Sequence, residues 1–493
     1  MKNNIIVMSG LIFGLFFTAC EEALVEEPES LLVKENFYKN ETDAFSALAA
    51  VYGTFRSGGE RYFPVTYFMA TLENRAEYSN GRGSQAGFSI YDGPLDNTSQ
   101  ERVFAAYNDI YLGINRANSV ISNVAQIEDM KDDLRAQYVA EARFLRAFFY
   151  MNLVKYWGGV PLRTEEFVSL DQIPAPRATT QETWEFIISE LNAVIPDLAD
   201  SFADADAGRA TSWTAKAALA DAYLDTENWQ LAADTADDII VNGPYALVEV
   251  EVADDFLNIY GPEVVTHSED IFSAHYSETN GMDVPRFIHR ANTGFSIGGF
   301  HAWLPVENSI LGSWDTNDLR RQFSLYTEYL DEDGVLQPLP EDSPLLFHKY
   351  RDPGAASGPQ SRNNIPFYRL AEMYLIYAEA IAEVNGAPTP LATERLNIVR
   401  RRGYGLPLNA ASAEDYPVGM SATDFKNTVL DERVYEMNLE MKRWNDLLRT
   451  GRAQEFVEAT GKTWSDVALL LPLPVDEINN NPAMGPGDQN PGY

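Results

Sequence analysis

Between Leu134 and Tyr156, the residues Tyr138, Ala142, Leu145, Phe149, Leu153 and Tyr156 recur at spacings of 4, 3, 4, 4 and 3. That spacing is one face of a helix of six turns, long enough to organise a core around itself. "GGVPL" closes it, with glycines for the turn and Pro161 where a helix cannot continue. After "PRATT" a further helix begins, with Thr179 or Thr180 as its cap and Glu182 close behind.

The same period returns further along. Ser212 to Val241 reads as a helical hairpin, with Leu219, Tyr223, Ala218 and Ala222 on one arm and Trp229, Ala232, Ala236 and Ile240 on the other. Small residues at these positions let the arms approach closely, as in a tetratricopeptide-type repeat, although no strict 34-residue period is present. From Pro366 to Val384 another stripe runs through Leu370, Tyr374, Tyr377, Ile381 and Val384, closed by Gly386 and Pro388, and a partner arm follows through Leu396 and Val399. Phe425 to Leu448 reads as one charge-laced helix, with Glu432, Glu436 and Glu440 at intervals of four and Arg443 next along that face. Glu372 and Glu379, with Arg369 nearby and Arg400, Arg401 and Arg402 across a hairpin, are expected to form buried ion pairs.

Residues 246–362 break the period. Gly and Pro make up 17 of these 117 residues, and all five histidines, His267, His275, His289, His301 and His348, lie inside. Loops held on a rigid helical frame are where binding residues concentrate.

Charge and cysteine usage narrow the function. Seventy-three acids against 37 bases give a formal charge of −36, which repels a phosphate backbone and fits neutral or cationic ligands better. The single cysteine, Cys20, removes disulfide frameworks and cysteine-rich metal sites. It ends "FTAC" after Lys2 and an uncharged stretch, the arrangement of a secretory signal that resembles a bacterial lipobox with Phe17 in the usual leucine position. The expected organisation is a signal peptide over 1–19 and a lipidated, palmitate-bearing acidic tether over 20–35. Two acyl chains on Cys20 give stable anchoring.

No nucleotide-binding, G-x-S-x-G or H-E-x-x-H motif is present, and no catalytic or metal-ligating set stands out. Six of the eight tryptophans sit in helical or apolar contexts that suit packing, which leaves Trp303, in "FSIGGFHAWLPVEN", and Trp314 in the loop-rich part. An aromatic face on a rigid loop suits the C–H face of a sugar ring. Phe295, Phe300 and His301 neighbour Trp303, and Tyr276 lies upstream. An early loop, "TLENRAEYSNGRGSQ", adds Asn74, Arg75, Tyr78, Asn80 and Arg82.

The blocks "FYKNETDAFSALAAVYGTF", "AEARFLRAFFYMNLVKYWGGVPL", "IPFYRLAEMYLIYAEAIAEVNG", "LDERVYEMNLEMKRWNDLLRTGR" and the terminal "QNPGY" fall in one order, and in that order the chain resembles the SusD/RagB family of nutrient-binding lipoproteins. Gly159, where the family often carries an acid, and Tyr78, where a Trp can occur, are departures. The resemblance implies an all-α fold: a tetratricopeptide-like scaffold over about 36–245 and 363–450, a loop-rich ligand face over about 246–362, and a C-terminal segment, 451–493. It also implies a non-enzymatic lid on a SusC-like TonB-dependent transporter in the outer membrane, facing the exterior and capturing oligosaccharides, and the chain's acidity tilts that expectation toward a neutral glycan such as a glucan, mannan or xylan. No cofactor is implied, and a structural calcium has no readable signature.

On that basis Trp303 and Tyr78 are expected to stack on the ligand, with Tyr276, Phe300 and His301 beside them. Asn74, Arg75 and Arg82 are expected to bond its hydroxyls. Other readings of the same chain are capture of peptides or other nutrients, a surface glycosidase using two carboxylates, and a helical scaffold for protein partners.

Overall fold

The computed structural model describes residues 37–55, 63–296, 298–331, 333–355 and 360–493. The expected signal peptide, Cys20 and the acidic tether lie outside the described residues. The fold is mostly helical, 53% helix against 8% strand, with no barrel among the described residues.

Helix α1 (Glu41–Tyr52) opens on Asn40, whose side chain accepts from the backbone of Thr42 and Asp43. α2 (Tyr67–Arg75) leads into the short strand β1 (Ser79–Gly81). α3 (Asn97–Val124) and α4 (Asp132–Trp157) are the two longest helices and pack along each other. The six stripe residues of α4 are all buried, so the face inferred from spacing is the core face. α5 (Thr180–Val194) starts in a capping box between Thr179 and Glu182, and α6 (Ser212–Asp225) and α7 (Trp229–Asn242) form the hairpin. Each of α3 to α7 packs on the next, and α7 then packs on α8 (Leu370–Asn385), so the array continues across the loop-rich segment. α9 (Pro390–Gly403) and α10 (Ala422–Met437) pack on α8. α11 (Arg443–Arg449) and α12 (Ala453–Ala459) follow.

Two expectations are corrected. The stripe beginning at Pro366 is helical only from Leu370. Ile365–Arg369 is a fully buried strand that pairs antiparallel with Asp270–Ala274, where continuous apolar residues suit burial on both sides. The stretch Phe425–Leu448 is two helices rather than one. It breaks over 438–442, where Leu439 (φ 57°) and Met441 (φ 61°) take left-handed backbone conformations.

The break exists because its groups are claimed by other elements. Leu439 N donates to the Tyr78 hydroxyl (3.0 Å) and Met441 N to Glu73 Oε1 (2.6 Å), while Lys349 Nζ donates to the Asn438 carbonyl (2.8 Å) and Glu440 (2.6 Å). Below it, Glu436 receives Arg320, Arg369 and Arg402, and Arg402 also donates to Glu269 (2.7 Å). Burial alone would raise the Glu436 carboxyl, but these three guanidiniums hold it well below the usual carboxylate range. Glu372, Glu379 and the arginines are buried in ion pairs as expected, but with other partners: Glu379 with Arg449, Glu372 with Arg433 and Lys442, and Arg401 with Glu394 and Asp415, rather than with one another. This charged core fastens the loop-rich segment, through Glu269, Arg320 and Lys349, to the helices.

Within 246–362 the chain makes short helices and two-stranded ribbons. β1 pairs antiparallel with Trp303–Pro305, in the register Gly81 opposite Trp303 and Ser79 opposite Pro305. That pairing joins the early loop to the loop-rich segment and positions the candidate site.

Candidate functional site

The face grows from a tight loop. Gly298 (φ +50°) sits so close to the Arg290 carbonyl that an added Cβ would approach it to 2.1 Å, so only glycine fits there. Gly299 N donates to the His289 carbonyl (3.0 Å) and Phe300 N to the Arg286 carbonyl (2.8 Å), folding residues 298–302 back on the short helix Val284–Ile288. On the other side, Arg82 N donates to the Ala302 carbonyl (2.7 Å). His301 is held between these two attachments with φ +34°, a strained value for a residue with a Cβ.

These constraints build an aromatic step. Trp303 is completely buried, its Nε1 donating to Gln85 Oε1, and its ring stacks on Phe287 at 5.9 Å and 7° between planes. Phe287 in turn meets Phe300 at 6.4 Å, and Phe300 is 57% exposed. The Arg286 guanidinium lies 5.3 Å from the Phe300 ring centre, and that of Arg290 lies 5.5 Å from Tyr329. Burial first, and then the positive charges of Arg82 and Arg290, push the His301 imidazole below its ordinary pKa. The Nδ1 of His301 is buried without a partner.

The structure brings together Tyr78, Arg82, Phe300, His301 and Trp303 from the expected set, but gives them different tasks. Phe300, Arg82 and half-buried His301 reach the surface. Trp303 and Tyr78 do not, which corrects the expectation that they offer stacking faces. Tyr78 is 1% exposed, and its hydroxyl donates to Glu73 while accepting from Leu439 N. Burial pushes the Glu73 carboxyl up to about 7, even though it accepts from Tyr78 and Met441.

Asn74 and Arg75 are corrected likewise. Asn74 is spent on the Ala70 carbonyl (2.8 Å) and Ser79 (3.2 Å). Arg75 donates to the Ala468 carbonyl (2.7 Å) and lies over Trp444 at 5.1 Å, pinning the early loop to the C-terminal segment. Tyr276 packs away from the step, its hydroxyl donating to the Phe55 carbonyl (2.9 Å). Trp314 is buried too, stacked on Tyr435 at 5.1 Å.

Sequence reasoning missed Phe287, Arg286 and Arg290. Their signal was "DVPRFIHR", where Pro285 marks a helix start directly before an alternation of basic and apolar residues. The histidines make no metal site: among the described residues no group of three or more His, Cys, Asp or Glu is placed to hold an ion. Burial pushes His267 and His275 down to about 4 and His289 to about 3.

Fold and site together define a helical-array protein with a loop-built face carrying an exposed aromatic and guanidiniums without a carboxylate partner among the described residues. Two family models match it: "SusD family" over residues 341–493 and "Starch-binding associating with outer membrane" over 66–224. SusD-like protein P25 of Formosa agariphila is 25% identical, with 99% of each chain covered. A crystal structure of a SusD-like protein from Bacteroides fragilis superposes with a TM-score of 0.77 at 20% identity, covering 93% of this chain and 98% of that one. A laminarin-binding SusD-like protein does so with a TM-score of 0.73 at 24% identity, covering 92% and 100%. The chain is thus similar to SusD/RagB-family proteins in both matched segments, and its SusD-like relatives align along its whole length.

Proposed function

We propose that the protein captures oligosaccharide or polysaccharide at the cell surface and delivers it to a SusC-like TonB-dependent outer-membrane transporter, acting as a binding protein rather than an enzyme. The observation that carries this reading is the exposed Phe300 ring, backed by Phe287 and Trp303, on a chain alike along its whole length to SusD-like proteins. A flat ring with one free face suits the C–H side of a pyranose, and a half-exposed step suits affinities of about millimolar to micromolar, from which a ligand can be passed on.

A neighbour named for binding laminarin supports a glycan as the ligand class. The lipobox-like "FTAC" supports anchoring through Cys20 in the outer membrane, and no described helix is long and apolar enough to cross a membrane. The test is retardation of residues 21–493 in native gels cast with a panel of polysaccharides. Retardation by one glycan that is lost in Phe300→Ala is expected. If no glycan retards the protein and a peptide library does, the capture reading shifts to peptides and the glycan assignment fails.

A further inference from the structure

The arginines of this chain are overwhelmingly committed. Arg320, Arg369, Arg401, Arg402, Arg433, Arg443 and Arg449, for example, each meet at least one carboxylate within 3.2 Å. That is the expected state where acids outnumber bases 73 to 37. Arg82 and Arg290 are exceptions. Among the described residues neither guanidinium has a carboxylate or hydrogen-bonded acceptor, yet both are held by their backbones against the 298–302 loop. Arg82 N bonds the Ala302 carbonyl, and Arg290 is bridged to Gly299 and Phe300.

A third guanidinium, Arg286, lies against Phe300 with only a loose 3.6 Å contact to Asp283. A carboxylate, Asp342, also acts on His301, against Arg82 and Arg290. Arg286 therefore lies against the aromatic step, and Arg82 and Arg290, without a carboxylate partner among the described residues, flank its 298–302 loop in a chain of strongly negative net charge. Pairing these arginines internally would have cost nothing in composition, since carboxylates are in excess.

Resting on the capture reading of this same face, we propose that the ligand is an acidic glycan, whose carboxylate or sulfate groups are received by Arg82 and Arg290 while a sugar ring lies on Phe300. The planar guanidinium fork matches both anions in bidentate fashion. Overall acidity does not oppose this, because the repulsion is screened over about 8 Å in physiological salt while the arginines are in contact. The local charge thus reverses the preference for a neutral glycan drawn from the whole-chain charge.

The experiment pairs each acidic probe with its neutral counterpart: oligogalacturonate with its methyl ester, and κ-carrageenan oligosaccharide with its desulfated form, alongside neutral laminarihexaose. Titration calorimetry at low and high NaCl, on wild type, Phe300→Ala and the double variant Arg82→Gln/Arg290→Gln, reads the affinities. The expected result is one acidic probe bound at least tenfold more tightly than its counterpart in low salt, with the gap closing in high salt and in the double variant. The winning pair tells carboxylate from sulfate. If neutral probes bind equally well, or the double variant leaves the gap intact, acidic recognition is overturned while Phe300-dependent capture stands. If no saccharide binds, acidic or neutral, both readings fall together.

Discussion

Phe300→Ala and Trp303→Ala separate the surface of the aromatic step from its foundation. Phe300 keeps 57% of its area in water, so truncating it leaves no cavity, and the change in stability should stay within about 0.5 kcal/mol. Covering that exposed part with a sugar ring is worth a little over half of the ~1.5–3 kcal/mol of full side-chain burial, with ~0.5–1 kcal/mol more for the ring contact. The variant should therefore lose about 2 kcal/mol of binding, roughly thirtyfold in Kd. Trp303→Ala removes a fully buried ring stacked on Phe287 and hydrogen-bonded to Gln85, and should lower stability by about 3–5 kcal/mol. Calorimetric titration with whichever glycan retards the wild type, beside urea denaturation of each variant, measures both quantities. A Phe300→Ala protein that binds within twofold of wild type would refute the assignment of the outer face.

Gly298→Ala should abolish glycan binding with the far-ultraviolet circular dichroism unchanged, because the new methyl meets the Arg290 carbonyl and only the 298–302 loop must move. Glu436→Gln leaves three guanidiniums around a neutral amide and should cost about 3–5 kcal/mol in urea denaturation, a far larger loss than any single surface pair. His289 is buried, with its Nε2 against the Lys349 carbonyl and its pKa lowered to about 3. In the unfolded chain it takes a proton near pH 6.5, so its contribution is present at neutral pH and is lost as pH falls from about 6.5 toward 3. Between pH 7 and 5 the wild type should lose about 2 kcal/mol more than His289→Gln, read from urea midpoints at the two pH values.

The helical frame was legible because its signals are local. The α4 stripe, the Thr179 capping box and the left-handed Gly386 after α8 each depend on residues a few positions apart. The break over 438–442 was not legible, since helix-compatible residues there are pulled out of register by Glu73, Tyr78 and Lys349, which are hundreds or tens of positions away. The strand Ile365–Arg369 was read as helix for a similar reason: its partner Asp270–Ala274 decides its conformation, and the apolar run fits either period.

At the face, the sequence located the two segments that meet but not which side chains point outward. A tryptophan between glycines has the same appearance whether its ring faces water or Phe287. Ring area favoured Trp303 as the exposed ring, while packing leaves Phe300 exposed and puts Trp303 beneath it. Asn74 and Arg75, read as loop residues, lie at the end of α2, and a polar residue bonded to carbonyls within the fold cannot be told by spacing from one left free for a ligand.

The register that sets Gly81 opposite Trp303 ties together points 222 residues apart, and Arg75 reaches the Ala468 carbonyl across 393. Ties of this span close very large loops, whose ordering cost rises with length and whose formation slows folding. The face is therefore not a module that a fragment could carry. A chain still being synthesised, or one clipped before residue 468, holds Phe300, Arg82 and Arg290 yet lacks the carbonyl to which Arg75 is anchored. Display of the face thus doubles as a report that the chain is whole.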